Sequence, residues 1–130
     1  MINKTIHLVP HKLQPTDFIE DDLDMSPDGF FTIISATDIL ENSPSDNILD
    51  KLCSKLRMGG FLQLNGIDGL ELCRGVYSGN ITLIQYSNII KNVRRVYSIL
   101  SLKKYFADKQ WKIEFAGLHQ NKYNIKVRKA

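Results

Sequence analysis

The densest group of chemically capable side chains is a cluster of carboxylates, Glu20, Asp21, Asp22 and Asp24. Closely spaced carboxylates can bind Mg²⁺ or Ca²⁺, because hard cations prefer oxygen ligands. The cluster lacks the alternating Asp-x-Asp-x-Asp-Gly spacing of a calcium-binding loop. We therefore expect no metal site here and interpret the cluster as a solvated acidic turn.

The histidines and cysteines do not form a catalytic pattern. His7 lies in a short apolar segment and His11 in a proline-flanked turn, and neither has a Ser or Cys close by in sequence that it could activate. His119 falls in a polar loop, where we expect it to be solvated. Cys53 and Cys73 are too few for a disulfide scaffold and too far apart for a metal knuckle, so both are predicted to be small buried hydrophobic residues. The sequence identifies no catalytic residue.

Lys91, Arg94 and Arg95, with Tyr86 and Tyr97 nearby, form the densest basic and aromatic group. Such a group could stack on and pair with nucleic acid. The alternative is an amphipathic helix that exposes the three cations above an apolar face. We favour the helix.

Length and composition are those of one soluble globular domain covering residues 1–130. The chain is 43% hydrophobic and 24% charged. No apolar run reaches the roughly 18 residues of a membrane-spanning helix, and no signal-peptide core follows Met1. We expect a cytoplasmic protein without a membrane segment.

Charge divides the chain into two unlike parts. Residues 1–50 contain ten acidic and two basic side chains, a net charge of −8, whereas residues 51–130 contain fifteen basic and four acidic ones, a net charge of +11. The basic residues are spread over eighty positions rather than clustered, which favours a solvated surface and argues against a nucleic-acid partner.

Short apolar segments predict where the first half of a sheet lies. Residues 5–9 are rich in β-branched side chains and end at a proline, which predicts a strand, and a second short strand is predicted at 18–19. The continuous apolar run 30–36 predicts a central strand buried on both faces.

A helix and another strand should complete a βαβ unit spanning about residues 30–66. Residues 43–46 have helix-start chemistry, and apolar side chains follow at helical spacing from Ile48 to Leu56. Gly59 and Gly60 are predicted to cap the C-terminus of this helix, and a strand is predicted at 61–65.

The last half of the chain predicts helices followed by a hairpin. A helix is expected at 68–78, another within 83–97, and a third beginning at Ser101 as its N-cap. Two alternating segments, 112–116 and 123–127, predict an antiparallel hairpin. The fold class is therefore α/β, with a mostly parallel sheet and a C-terminal antiparallel hairpin.

Residues 31–42, followed by 56–60, resemble the central part of class I S-adenosylmethionine-dependent methyltransferases. In that family a buried strand runs into a Leu-Glu-His element, and a later helix leads to Leu-(Lys/Arg)-Pro-Gly-Gly; here the matching residues are Leu40-Glu41 and Leu56-Arg57-Met58-Gly59-Gly60. Segments 4–8, 18–22 and 68–79 more narrowly resemble small predicted methyltransferases found with sugar and polysaccharide biosynthesis genes.

The resemblance implies a reduced Rossmann-like fold, S-adenosylmethionine as cofactor, and a sugar or other small polar molecule as methyl acceptor. Asp22, placed at the end of the second strand, would bond the ribose hydroxyl groups, and Thr37 and Asp38 would complete the cofactor site. The sequence departs from the family where Val9-Pro10-His11 replaces the glycine-rich turn after the first strand. Between Asp24 and Phe30 there is also too little chain for the family's third strand and preceding helix.

These departures leave two principal functions open. The first is S-adenosylmethionine-dependent methyl transfer, with the altered turn weighing against cofactor binding. The second is a catalytically inactive relative that serves as an interaction module, with a homodimer burying the edge that a shortened sheet exposes. Nucleic-acid binding through the basic second half is a third, weaker hypothesis.

Overall fold

The fold is built on one five-stranded sheet. The computed structural model describes residues 4–10 and 18–130. The strands are β1 (Thr5–Leu8), β2 (Phe31–Thr37), β3 (Leu56–Ile67), β4 (Lys112–His119) and β5 (Lys122–Arg128), in the spatial order β1-β2-β3-β5-β4. Strands β1, β2 and β3 are parallel, whereas β5 is antiparallel to both β3 and β4. The terminal hairpin is confirmed, but the sheet is mixed rather than mostly parallel.

Six helices connect the strands in the described part of the chain. They are α1 (Glu20–Asp24), α2 (Ile39–Asn42), α3 (Ile48–Lys55), α4 (Gly69–Tyr77), α5 (Leu83–Ile90) and α6 (Ile99–Asp108). None of these helices is long and apolar enough to cross a bilayer. The predicted strand at 18–19 is reduced to one parallel bridge between Phe18 and Leu8.

One face of the sheet carries the core. Because side chains alternate along a strand, paired residues on neighbouring strands share a face. The inner face consists of residues no more than 3% exposed, namely Ile6, Leu8, Ile34, Ala36, Leu62, Leu64, Tyr123, Ile125 and Val127. Leu52 of α3 and Leu102 and Phe106 of α6 belong to the same buried cluster. Each Leu, Ile, Val or Phe side chain of this set contributes roughly 1.5–3 kcal/mol by leaving water.

The opposite face of the sheet is not buried. Its outward positions are half-buried or exposed, namely Thr5, His7, Ile33, Ser35, Thr37, Phe61, Gln63, Asn65, Lys112, Phe115, Gly117, Asn124, Lys126 and Arg128. We call this set the open face. The prediction that 30–36 is buried on both faces is therefore wrong, since Ile33 is 37% exposed. The central strand is β3, and β2 lies beside it.

Gly59 and Gly60 do not cap a helix. Helix α3 ends at Lys55, and both glycines lie within β3, where Gly59 N donates to Lys129 O and Lys129 N donates to Gly60 O, each at 2.9 Å. A Cβ on Gly60 would meet Thr32 O at 2.6 Å. Glycine is required here because the backbones of β2 and β3 approach closely, a reason that a sequence pattern does not reveal.

Asp68, directly after β3, connects the starts of two helices. It is 1% exposed; its Oδ1 accepts from Leu70 N and Glu71 N at 3.0 Å, and its Oδ2 accepts from Ile99 N at 2.6 Å. Its negative charge also suits the positive ends of both helix dipoles. The helix predicted at 68–78 is confirmed as α4.

The N-cap of α6 was wrongly predicted. The cap is Ser98, whose Oγ accepts from Ser101 N at 3.1 Å, while Ser101 Oγ accepts from Ser98 N at 3.0 Å. Ser101 is thus the third helical residue of a capping box.

The basic group is not the exposed side of a helix. Helix α5 ends at Ile90, so Arg94 and Arg95 lie beyond it. Arg95 Nη1 donates to Leu40 O at 2.9 Å and to Ser43 O at 2.8 Å. Arg95 therefore holds the segment after α5 against α2.

The two cysteines differ in exposure. Cys53 on α3 is buried, as predicted, and burial raises the pKa of its thiol to about 11. Cys73 on α4 is exposed, contrary to prediction, because it lines an open concavity between α4 and α5.

Glu41 is a buried acid joined to β5. It is 1% exposed, and Tyr123 Oη donates to its Oε1 at 2.5 Å, whereas its Oε2 has no partner among the described residues. A Cβ on Gly66 would lie 2.5 Å from Glu41 Oε1, so glycine leaves the space that the carboxyl fills. Burial raises the pKa of Glu41 from 4.5 to about 7, against the opposing effect of the Tyr123 hydrogen bond.

Substitution of Asp68 by Ala should lower the free energy of unfolding by about 3 kcal/mol, because three amide donors lose their acceptor. Urea unfolding followed by circular dichroism measures this. Ser98→Ala is the control, since it removes one ordinary cap and should cost about 1 kcal/mol. Equal losses in the two variants would contradict the role of Asp68 as a shared cap.

Glu41 should make the protein less stable as pH rises. The unfolded state releases this proton near pH 4.5 and the folded state only near pH 7, so stability present below pH 4.5 is lost as pH rises to 7. The full loss is about 3 kcal/mol.

Glu41→Gln should remove this part of the decline when urea unfolding is compared between about pH 5 and about pH 8. Tyr123→Phe, the control, loses a hydrogen bond but keeps the carboxyl, so it should be less stable throughout and retain the decline. A Glu41→Gln profile parallel to that of the original protein would refute the assignment.

Candidate functional site

The carboxyl ends of β1 and β2 meet at one edge of the sheet. Leu8 pairs with Ala36, which places Val9 level with Thr37. Val9 N donates to Phe18 O at 2.9 Å, and Pro10 has no N–H to donate. His11, the third residue of the predicted turn, lies outside the described residues.

Asp22 does not end a strand, contrary to its predicted position. It lies in the first turn of α1, and its Oδ2 accepts from Ile19 N at 2.9 Å. The Phe18–Leu8 bridge places this carboxylate at the same end of the sheet as Val9 and Thr37. One of its two oxygens is therefore engaged in helix capping.

Thr37 and Asp38 are half-buried at the carboxyl end of β2, directly after the segment predicted as a strand. Asp38 adopts a left-handed conformation, with φ of 59°, and precedes α2. Its N donates to Asn65 O at 2.9 Å and its carbonyl accepts from Asn42 Nδ2 at 2.7 Å. The Asp38 backbone is thus fixed by β3 and α2.

Glu20, the first residue of the acidic cluster, is held in a hydrogen-bond network between α1, α3 and the segment before α3. Glu20 Oε2 accepts from Lys51 Nζ at 2.8 Å and from Ser45 Oγ at 2.9 Å, and Ser43 Oγ donates to Oε1. Burial alone would raise the pKa of Glu20, but the hydrogen bonds from Lys51, Ser43 and Ser45 outweigh it and hold the pKa below its usual value. Within residues 4–10 and 18–130, no group of three His, Cys, Asp or Glu side chains is arranged to hold a metal ion.

The remaining sequence candidates do not join this edge as an acid–base pair. His7 is exposed on the open face, and His119 is exposed at the end of β4. The sequence patterns did not predict that Glu41 is a buried titratable group. Its signal was the Leu40-Glu41 match, although nothing in that match shows burial.

A concavity lies beyond the carboxyl end of β3. It has a volume of about 530 Å³ and lies between α4, α5 and residues 93–98. Its lining is mainly apolar and includes Leu70, Leu72, Ile90, Val93 and Val96. It continues past Cys73 and Tyr86 into a second concavity of about 250 Å³. We call the two together the α4–α5 groove.

Two solved structures have a similar fold. A S-adenosylmethionine-dependent methyltransferase from Methanosarcina mazei aligns with a TM-score of 0.53 and 14% identity over 81% of this chain and 62% of that one. A S-adenosylmethionine-dependent methyltransferase from Thermotoga maritima, described as a possible histamine N-methyltransferase, aligns with a TM-score of 0.54 and 14% identity over 82% of this chain and 59% of that one.

The alignments cover less than two thirds of either neighbour's length. No family model and no curated protein matches the sequence. At such low identity the likeness concerns the fold alone, and it supports the resemblance inferred from residues 31–42 and 56–60. The chain has the α/β fold of S-adenosylmethionine-dependent methyltransferases.

Proposed function

We propose that this chain is a methyltransferase-fold protein that serves as an interaction module and does not catalyse methyl transfer. The observation that carries the proposal is the end of β1. A cofactor at this edge needs backbone that approaches closely and offers N–H donors. Val9 N is already bonded to Phe18 O, and Pro10 has no donor. The described residues of this turn do not fit the cofactor.

The predicted cofactor residues do not compensate for that turn. Asp22 shares its carboxylate with Ile19 N, and the backbone of Asp38 is bonded to Asn65 and Asn42. Contact with ribose would therefore rest on the remaining Asp22 oxygen and the side chains of Thr37 and Asp38. We interpret the fold as reduced on the β1 side, where Phe18 is the described residue that pairs with the free edge.

The module's proposed contact surface is the α4–α5 groove, and its occupant is a second copy of the chain. Helix α5 has no charged residue and no buried side chain; Leu83 is 70% exposed and Ile84 is 76% exposed. Leu70 and Val96, at the groove's other side, are also exposed. Because α5 is uncharged, two copies can meet along this helix by twofold symmetry without opposing like charges there, and Arg94 and Arg95, which also line the groove, lie beyond the end of the helix.

Methyl transfer remains the second candidate, favoured by the fold and by Thr37 and Asp38 at the expected strand end. Its acceptor would be the sugar or small polar molecule that the sequence resemblance implies. The surface of the α4–α5 groove is mainly apolar, although Arg94, Arg95 and Ser98 are among the residues that line it, and this apolar surface weighs against a sugar acceptor at this place.

Calorimetric titration with S-adenosylhomocysteine should give no binding heat at about 1 mM ligand. The physical reason is the lack of free backbone donors at Val9 and Pro10. Binding tighter than about 0.1 mM that weakens in Asp38→Asn would overturn the proposal and support methyl transfer.

Light scattering after size exclusion should give twice the monomer mass of 14.9 kDa. Leu83→Glu should shift the protein to monomer, because it places a charge in the apolar groove. Asn88→Glu is the matched control: Asn88 is on the same helix but lines a different concavity with Asn80 and Asn121. A monomer at high concentration, or equal effects of both variants, would refute the assembly surface.

A further inference from the structure

We propose that the open face binds single-stranded nucleic acid, with Phe115 as a stacking platform and Lys126 and Arg128 as phosphate contacts. This surface is separate from the α4–α5 groove, so the proposal goes beyond assembly and does not depend on it. The cations concerned also differ from Lys91, Arg94 and Arg95, the basic group that the sequence offers for nucleic-acid binding.

The sheet register gathers cations that are far apart in sequence. Lys126 pairs with Gln63 and Phe115, and Arg128 pairs with Phe61 and Lys112, which places the three cations on one face of neighbouring strands. The outward positions assigned to the open face include no acidic side chain. Glu114 of the β4 bulge lies beside them, 3.8 Å from both Arg128 Nε and Lys112 Nζ. The face is therefore net positive, as binding to a phosphate backbone requires.

Two aromatic rings lie among these cations. Lys126 Nζ lies 4.7 Å and the Arg128 guanidinium carbon 4.5 Å from the centre of the Phe61 ring, so this ring holds both cations over the sheet. Phe115 is 54% exposed. Its ring lies over Gly117, since a Cβ there would be 3.1 Å from Phe115 Cζ. Glycine thus lets the ring lie along the sheet with its other side open to solvent.

Polar and concave features adjoin the rings. Gln63 Nε2 donates to Asn124 Oδ1 at 3.3 Å on the same face, and these amides have further groups that can bond base edges. A concavity of about 290 Å³ beside Ile33 and Phe61 is also lined by Arg57. The cations thus suit the phosphates of a nucleic acid, the exposed ring suits the face of a base, and the amides suit the edge of a base.

The same features decide between possible occupants. A second copy docked by twofold symmetry would bring Lys126 and Arg128 against their own counterparts, which is unfavourable. An acidic protein would satisfy the charge but would not require the exposed ring. A duplex hides its base faces, so Phe115 can stack only on an unpaired base.

Fluorescence anisotropy of labelled single-stranded RNA and DNA tests the proposal, with the corresponding duplexes as comparison. We expect binding to a single strand, weaker binding to the duplex, and a fall in affinity as salt rises from about 50 to about 200 mM. Phe115→Leu should weaken binding about tenfold. Phe115→Tyr should retain binding, because it keeps the stacking ring.

Leu118→Ala is the matched control on the same strand, since Leu118 is 45% exposed but pairs with inner-face Tyr123. It should leave affinity unchanged. Lys126→Gln should reduce the slope of log affinity against log salt by about 0.7, the value for one phosphate contact to a single strand, whereas Lys104→Gln on α6 should not. Circular dichroism establishes that each variant is folded.

No binding at low salt, equal affinity for duplex and single strand, or unchanged affinity in Phe115→Leu would each overturn the proposal. A change in oligomeric mass in Lys126→Gln without an effect on nucleic-acid affinity would assign the face to a second copy and overturn it as well. Failure here leaves the S-adenosylhomocysteine and Leu83→Glu results unaffected, so the two proposals are tested separately.

Discussion

The alternation of side chains across β3 is the constraint on which the rest of the structure depends. Leu62 and Leu64 point inward and belong to the same buried cluster as residues of α3 and α6. Phe61, Gln63 and Asn65 point outward. A shift of one residue would exchange the two sets and expose the core. The buried residues of β1, β2 and β5 lie in register with Leu62 and Leu64. Helices α3 and α6 therefore pack on this side of the sheet, and the open face is the opposite side.

Two buried acids near the carboxyl end of β3, Glu41 and Asp68, join the neighbouring helices to the sheet. Gly66 leaves room for the Glu41 carboxyl, which Tyr123 bonds from β5, and Asp68 receives the first amides of α4 and α6. Both acids are buried because each joins elements that are distant in sequence. Both carboxyl groups therefore accept hydrogen bonds from other elements of the fold at this end of β3.

Local patterns in the sequence predicted the local structure well. The alternating segments gave the β4–β5 hairpin, and the periodic apolar residues gave α3 and α4. The errors concern tertiary contacts. Gly60 is required by the approach of Thr32 O, Arg95 is held by the carbonyls of Leu40 and Ser43, and the apolar run of β2 includes Ile33, which is 37% exposed on the open face.

The positions of the proposed site residues, as distinct from a cofactor-binding role, follow the same division between local and distant contacts. Thr37 and Asp38 lie at the strand end where the resemblance placed them, because a buried strand followed by a polar turn is a local pattern. The capping role of Asp22, the pairing of Val9 with Phe18 and the burial of Glu41 depend on residues that only the folded chain brings together. The open face was not predicted for the same reason. Its cations lie on β4 and β5 near the end of the chain, whereas Phe61 and Gln63, beside which they lie, belong to β3 in the middle.

The shared carboxylate of Asp68 also determines how the helical segment can open. Because Asp68 is the N-cap of α4 and also accepts from Ile99 N at the start of α6, a movement of Asp68 together with α4 leaves the Ile99 amide without its acceptor. Helix α5, which buries none of its side chains, lacks such a link. The connection between β3 and β4 therefore contains two helices whose starts are joined through Asp68 and, between them, a third helix without a buried side chain, whose amides we expect to exchange with water first.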